Sequence, residues 1–281
     1  MVRNLAFKLF ILFTIIVLNN SAFAKDISSI TNSNWETLHL YHGENQRGWP
    51  YVFDDTYVEF EFGGRYEWLD LYGYIDFIDA LNSSNSDKHG SNNFFADIEP
   101  RISIDYLLNK DLSYGALKEL FFAFDIYYAD ASPGTKDGLK ILWMGLGSDI
   151  DIPWLGKSGV NFYTRYIEEN YGASNENSFD GYVAHINWFK PIYNFTQSKF
   201  VSFQGYIDYE FGSDLDNNDT YRTSDSLQSY LGLWYHEKKW AAGYGLKAYK
   251  DMTQWKDGEV LNNKETDTTG FAHYFNVAYK F

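Results

Sequence analysis

The chain contains no cysteine in 281 residues, so no disulfide can staple its fold. It is also short of positive charge, with 23 Lys and Arg against 38 Asp and Glu and a formal net charge of −15. Nucleic-acid phosphates demand clustered cations, so nucleic acid is not an expected partner. After the first two dozen residues, no apolar stretch approaches the roughly 18 residues that a helical span requires. If this chain crosses a membrane it must do so as a closed sheet, because lipid offers no partner to an open strand edge. Catalytic patterns are missing as well. His39, His42, His89, His185, His236 and His273 fall in no recognisable motif, and no G-x-S-x-G occurs, which argues against an enzyme. The stretch Asp214 to Asp219 resembles the start of a calcium loop. Its sixth position is Asp219 rather than Gly and its twelfth is Asp225 rather than Glu, so it reads as a solvated outer loop. Neither a cofactor nor a metal is expected.

What the chain does have begins at its N-terminus. Arg3 and Lys8 flank the start of an apolar run from Leu9 to Leu18, and Ala22-Phe23-Ala24 supplies a small-x-small site. This is the form of a secretory signal peptide, with cleavage expected after Ala24. Residues 25–281 would remain as one domain, with a net charge of −17 once Arg3 and Lys8 are removed. Aromatics make up 20% of the chain, as 24 Tyr, 23 Phe and 9 Trp. A lipid-facing barrel uses such rings at both membrane–water interfaces.

Alternation at period two recurs throughout. Between Trp68 and Phe77, Asp70, Tyr72, Tyr74 and Asp76 share one face with Trp68, while Leu69, Leu71, Ile75 and Phe77 take the other. Glu99, Arg101, Ser103 and Asp105 alternate with Ile98, Ile102 and Ile104. Ser202, Gln204, Tyr206, Asp208 and Glu210 alternate with Phe203, Ile207, Tyr209 and Phe211. The pattern predicts about twelve strands, near 35–42, 53–62, 66–78, 94–106, 117–129, 138–150, 159–169, 179–190, 199–212, 224–236, 239–250 and 268–281. Gly63-Gly64-Arg65 and His236-Glu237-Lys238 are read as tight turns, and 79–93, 212–223 and 251–267 as long polar loops. With the N-terminus in the periplasm, every long loop falls on the outer side, as the barrel class predicts. The last strand alternates Phe275, Val277, Tyr279 and Phe281 with polar and small residues. A strand ending on a terminal Phe is the form of signal that outer-membrane assembly machinery reads. The fold class is therefore an all-β, transmembrane antiparallel barrel of a Gram-negative outer membrane, contacting outer-membrane lipid and lipopolysaccharide.

Several collinear stretches resemble the nucleoside-specific channel-forming (Tsx-like) family of outer-membrane proteins. They include Asp55-Thr56-Tyr57-Val58-Glu59, Tyr72-Gly73-Tyr74 with Asp76, and Ile98-Glu99-Pro100-Arg101. Asp111-Leu112-Ser113-Tyr114-Gly115 and Met144-Gly145-Leu146-Gly147-Ser148-Asp149 follow, then Asn170-Tyr171-Gly172-Ala173, Asp180-Gly181-Tyr182 and Gly212-Ser213-Asp214-Leu215. The resemblance implies a monomeric twelve-stranded barrel with a narrow lumen that takes up nucleosides and deoxynucleosides, and whose outer loops serve as docking sites for phages and colicins.

A nucleoside is a flat base on an uncharged, hydroxyl-rich sugar. Bases stack on aromatic faces for about 1–3 kcal/mol each, and ribose hydroxyls pair with carboxylates, amides and guanidinium groups. The residues best suited to that chemistry are Tyr72, Tyr74 and Asp76 on one strand, Tyr206 and Asp208 on another, and Trp49 at the first outer loop. Glu99, Arg101 and Tyr163 join them as lumen candidates. Arg101 and Arg165 also suit cross-barrel ion pairs that balance the acids and fix the pore. An acidic lumen would turn away phosphorylated solutes. Two other readings stay open: a closed-lumen receptor or adhesion barrel that works through its loops, and a general or sugar-type porin.

Overall fold

The computed structural model of the protein describes residues 32–48, 50–90, 93–131 and 138–281. The proposed signal peptide and Trp49 lie outside the described residues. The described residues form fourteen strands: β1 (Ser33–Gln46), β2 (Phe53–Tyr66), β3 (Leu69–Phe77), β4 (Phe94–Ser103), β5 (Leu117–Ala129), β6 (Leu139–Ile152), β7 (Gly156–Asn170), β8 (Ser178–Thr196), β9 (Lys199–Phe211), β10 (Ser226–His236), β11 (Trp240–Lys250), β12 (Val260–Leu261), β13 (Lys264–Glu265) and β14 (Gly270–Lys280). Twelve of them close an antiparallel barrel in chain order, with β14 pairing β11 on one side and β1 on the other. β12 and β13 form a separate small hairpin within the last loop. Closure leaves no strand edge open.

The two faces sort as alternation requires. Along β1, Thr37 and His39 are buried in the barrel while Leu38 and Leu40 are exposed on its outside. Phe122, Leu146 and Phe162 stand beside one another on the outer surface through the β5–β6 and β6–β7 registers. Rings gather towards both ends of that surface. Trp240 meets Tyr279 at 4.9 Å near the chain termini, while Phe94 contacts Phe77 and Tyr128 at 6.1 and 5.9 Å near the opposite rim.

Two local expectations fail. Gly63-Gly64-Arg65 does not turn; these residues continue β2, paired with Trp35, Asn34 and Ser33 of β1. The reversal comes at Glu67 and Trp68, where Glu67 takes a left-handed φ of 42°. Gly63 is needed for closeness instead, since a Cβ there would lie 2.6 Å from the Trp35 ring. The fourth segment, expected to run as a strand to 106, stops at Ser103. The Ser103 hydroxyl accepts from the Tyr106 amide at 3.1 Å and caps a short helix, α1 (Ile104–Leu108). Such capping competes directly with strand continuation. Asp105 therefore leaves the lumen face and accepts from the amides of Leu112 and Leu120 instead.

The long loops interlock over one rim. Arg47 pairs with Asp267 at 3.0 Å and donates to the Phe271 carbonyl at 2.8 Å. The Arg222 guanidinium lies 3.6 Å from the centre of the Trp255 ring. Gln254, from the loop between β11 and β14, accepts from Arg165 of β7 at 2.9 Å.

Candidate functional site: the barrel lumen

The residues facing inward form two materials, rings and carboxylates. A track of rings begins with Trp35 of β1, 6.2 Å from Tyr72 of β3. It continues through Tyr74, Phe95 and Tyr127 in steps of 6.0 to 6.2 Å, then to Trp143 at 4.7 Å and Tyr163 at 5.8 Å. The track crosses neighbouring strands because inward positions at similar height fall side by side in an antiparallel register. A second group holds Tyr41 stacked on Tyr57 at 5.0 Å, with Trp234 and Tyr274 edge-on at 6.3 and 6.4 Å. Tyr206 stacks on Tyr230 at 6.1 Å. Room for these rings comes from β11, where a Cβ on Gly243 or Gly245 would sit 2.3 Å from Trp234 or 2.1 Å from Tyr230. Lys247 lies 5.0 Å from the Tyr274 ring and 5.7 Å from that of Tyr206.

Carboxylates occupy the alternate inward positions of the same strands. Across β2 and β3, Glu59 stands opposite Asp76 and Glu61 opposite Tyr74. Across β3 and β4, Asp70 faces Arg101, Tyr72 faces Glu99 and Tyr74 faces Asp97. Tyr72 donates to Glu61 at 2.8 Å, and Glu61 also receives the Thr37 hydroxyl at 3.1 Å and His39 at 3.0 Å. On the facing wall, His185 pairs with Asp208 at 2.6 Å, and Gln228 donates to Asp208 at 3.2 Å. Asp208 acts electrostatically on Glu99, and Tyr206 on Tyr74, which sets β9 opposite β3 and β4 across the lumen.

A denser charge cluster lies nearer the chain termini. Arg101 reaches Asp70 at 2.7 Å and Asp149 at 3.0 Å. Arg65 reaches Asp70 at 3.6 Å and Glu119 at 2.5 Å, and Lys157 reaches Asp149 at 2.6 Å. Both guanidinium groups lie over Phe121, at 4.3 Å for Arg101 and 5.3 Å for Arg65. The three acids and three bases neutralise one another.

The candidate residues thus divide. Tyr72, Tyr74, Asp76 and Glu99 share the β3–β4 wall, and Tyr206 and Asp208 face them. Arg101 is bound into the charge cluster, and Tyr163 is only 1% exposed, with its hydroxyl accepting from Asn161 at 2.8 Å. His39, Glu59, Glu61, Asp97, Asp125, Tyr127, Trp143 and Lys247 join the lining without having been singled out by sequence. The parity of Glu99 already placed Asp97 on the same face; the partners across strands required the register.

The model of the family described as nucleoside-specific channel-forming protein, Tsx, matches residues 30–281. The chain is 38% identical over 249 residues to the outer membrane protein OmpK of Vibrio parahaemolyticus, covering 88% of this chain and 87% of that protein. It is 35% identical over 268 residues to the nucleoside-specific channel-forming protein Tsx of Escherichia coli O157:H7, covering 89% of this chain and 90% of that protein. Among solved structures, the NanC porin aligns over 87% of this chain and all of its own with a TM-score of 0.51. At 7% identity that likeness concerns the fold alone. The chain therefore belongs to the Tsx family of nucleoside-specific channel-forming proteins, as an outer-membrane β-barrel channel rather than an enzyme.

Proposed function

We propose that this barrel passes nucleosides and deoxynucleosides passively, with bases stacking on lumen rings and ribose hydroxyls bonding to the acids between them. One observation carries the reading: the ring track from Tyr72 to Trp143 runs beside Glu61, Asp97, Glu99 and Asp125. Two stacked faces at about 1–3 kcal/mol each, plus a few hydrogen bonds, supply the 4–8 kcal/mol or so of millimolar to micromolar binding. Tighter binding would block the pore, so several weak sites in series suit conduction. Ring stacking favours nucleosides over free sugars, and the surplus of acids disfavours nucleotides. In the same reading, residues 1–24 are removed on export, the long loops face outward as docking surfaces for phages and colicins, and the barrel acts as a monomer. Assembly machinery recognises Phe281, and Trp49 adds a stacking face at the outer mouth.

Planar-bilayer recording tests this directly. Adenosine at micromolar to millimolar concentration is expected to reduce ion current reversibly, and ribose or adenosine monophosphate at the same concentration to do much less. Equal block by nucleoside and sugar would leave a general porin in its place.

A further inference from the structure

Among the described residues, two groups of lumen side chains have the spacing of metal ligands, and their surroundings differ. In the first, the donor atoms of His39, Glu59 and Glu61 lie within 4.8 Å of one another. The His39 ring is already engaged on both nitrogens, by Asn276 at 3.2 Å and by Thr37 at 2.7 Å. Glu61 receives Tyr72, Thr37 and His39. Protein partners thus occupy His39 and Glu61 of that cluster.

The second consists of Asp97 and Glu99 of β4 with Asp125 of β5, again with ligand oxygens within 4.8 Å of one another. Asp97 is 4% exposed and Asp125 1%. Each keeps one buried carboxylate oxygen, Oδ1, without any hydrogen-bond partner. Tyr127 donates to Asp125 Oδ2 at 2.8 Å. Among the described residues, no Lys, Arg or His forms an ion pair with any of the three. Arg101 and His185 act on Glu99 electrostatically, but Arg101 is held by Asp70 and Asp149, and His185 by Asp208. Three carboxylates that meet in a buried site need compensation, because unpaired buried charge is among the most expensive arrangements a protein can hold.

We propose that Asp97, Glu99 and Asp125 form a binding site in the lumen wall for a hard divalent cation of the calcium type. An all-oxygen, all-carboxylate donor set selects such ions over thiophilic or imidazole-seeking metals. Calcium accepts irregular geometry with six to eight oxygens, which protein and water can share, whereas magnesium demands near-octahedral order. The two unpartnered Oδ1 atoms are the donors this site offers beyond its internal bonding. The sequence reading expected no metal; the strands bring together three acids whose meeting the linear order of Asp125 does not reveal. These acids also border the proposed solute path, but the cation site follows from their geometry and not from which solute the channel carries.

The test uses terbium as a calcium stand-in. Trp143 touches Tyr127, which bonds Asp125, so a bound lanthanide would be excited through those rings. Full-length protein in detergent, stripped with chelator, should show saturable terbium emission on indole excitation, displaced by calcium and far less by magnesium. D97N and D125N, close in shape, should each raise the half-saturating terbium concentration at least tenfold, while E61Q should leave it unchanged. Emission that is absent, or unaltered by D97N and D125N, would overturn the proposal and leave a proton shared between the two aspartates as the compensation. Should those variants fail to fold, wild-type channels decide: calcium must reduce the current where sodium of equal ionic strength does not, and equal currents reject the site.

Discussion

The two charged regions of the lumen are built from the same residue types and put them to opposite ends. Near the chain termini, Asp70, Glu119 and Asp149 are clasped by Arg65, Arg101 and Lys157 over the face of Phe121. In the middle, Asp97, Glu99 and Asp125 stand among rings, and among the described residues no cation forms an ion pair with them. Paired acids are tied to one geometry and act as masonry that sets the bore. Unpaired acids keep their bonding capacity for something that arrives from outside. Acidic composition alone does not distinguish these roles; the placement of three cations does.

The strongest way to break this comparison is to remove the clasp. Arg101→Leu should leave Asp149, 2% exposed in its side chain, with Lys157 alone. Losing one partner of a buried pair typically costs about 3–5 kcal/mol. Urea unfolding in detergent, followed by tryptophan fluorescence, should show a loss of this order, whereas Glu99→Gln in the middle should destabilise far less. A similar loss for both would erase the distinction.

Packing behind the second ring group gives the next largest effect. Gly245→Ala places a methyl against Tyr230 where no space exists. Overpacking of this kind costs about 1–3 kcal/mol, and it should also alter block by nucleoside, since Tyr230 stacks on Tyr206. Bilayer titration of the variant checks both size and direction.

A smaller change should follow Tyr74→Ala or Tyr206→Ala. Each removes a ring from the candidate lining, and a loss of about 1 kcal/mol would raise the half-blocking nucleoside concentration roughly fivefold. Tyr163→Phe keeps the ring and removes only the hydroxyl bonded to Asn161, so it should leave block unchanged; an equal effect there would give the hydroxyl a part in solute binding.

The smallest effect lies in a loop. Burial between β3 and β4 pushes the Asp87 carboxyl from 3.8 up to about 6, against the opposing pull of Lys88. The packed loop therefore binds more protons than the released one. Its packing should be firmest below pH 4 or so, weaken as pH rises to about 6, and change little above that. Hydrogen exchange of the loop amides, corrected for intrinsic rates, should slow on acidification from pH 7 to 5 in the wild type and not in Asp87→Asn.

Most of the barrel was legible in sequence because period two is enforced by lipid on one side and the lumen on the other. The expected 117–129 segment coincides with β5, and the others differ by a few residues at their ends. The failures are local. Gly63-Gly64 carries the signal of a turn, yet its glycines make way for Trp35 in a continuous strand. Ser103 can cap a helix or continue a strand with equal ease, and only the α1 geometry settles which. Inward direction at Tyr72, Glu99 or Asp208 followed from parity. The binding of Arg101 by Asp149, the pairing of Asp208 with His185 and the meeting of Asp97 with Asp125 depend on neighbours distant in sequence, so no pattern along one strand could reveal them.

The seam between β1 and β14 also governs when the protein can come into being. Thr37 meets Lys280 and Glu44 meets His273, so the ring cannot close until the last dozen or so residues are available. Every other barrel pairing joins strands consecutive along the ring and can form as hairpins, whereas this one spans nearly the whole described chain. Bringing such distant partners together carries the greatest loop-closure entropy of any pairing here, and topologies that depend on it fold slowly. Until the seam forms, two long edges with free amides and carbonyls would face each other across a gap, each a template for the wrong strand. Closure is thus the slow and vulnerable step, and a truncation that spares eleven strands but removes β14 should yield aggregate rather than a smaller barrel.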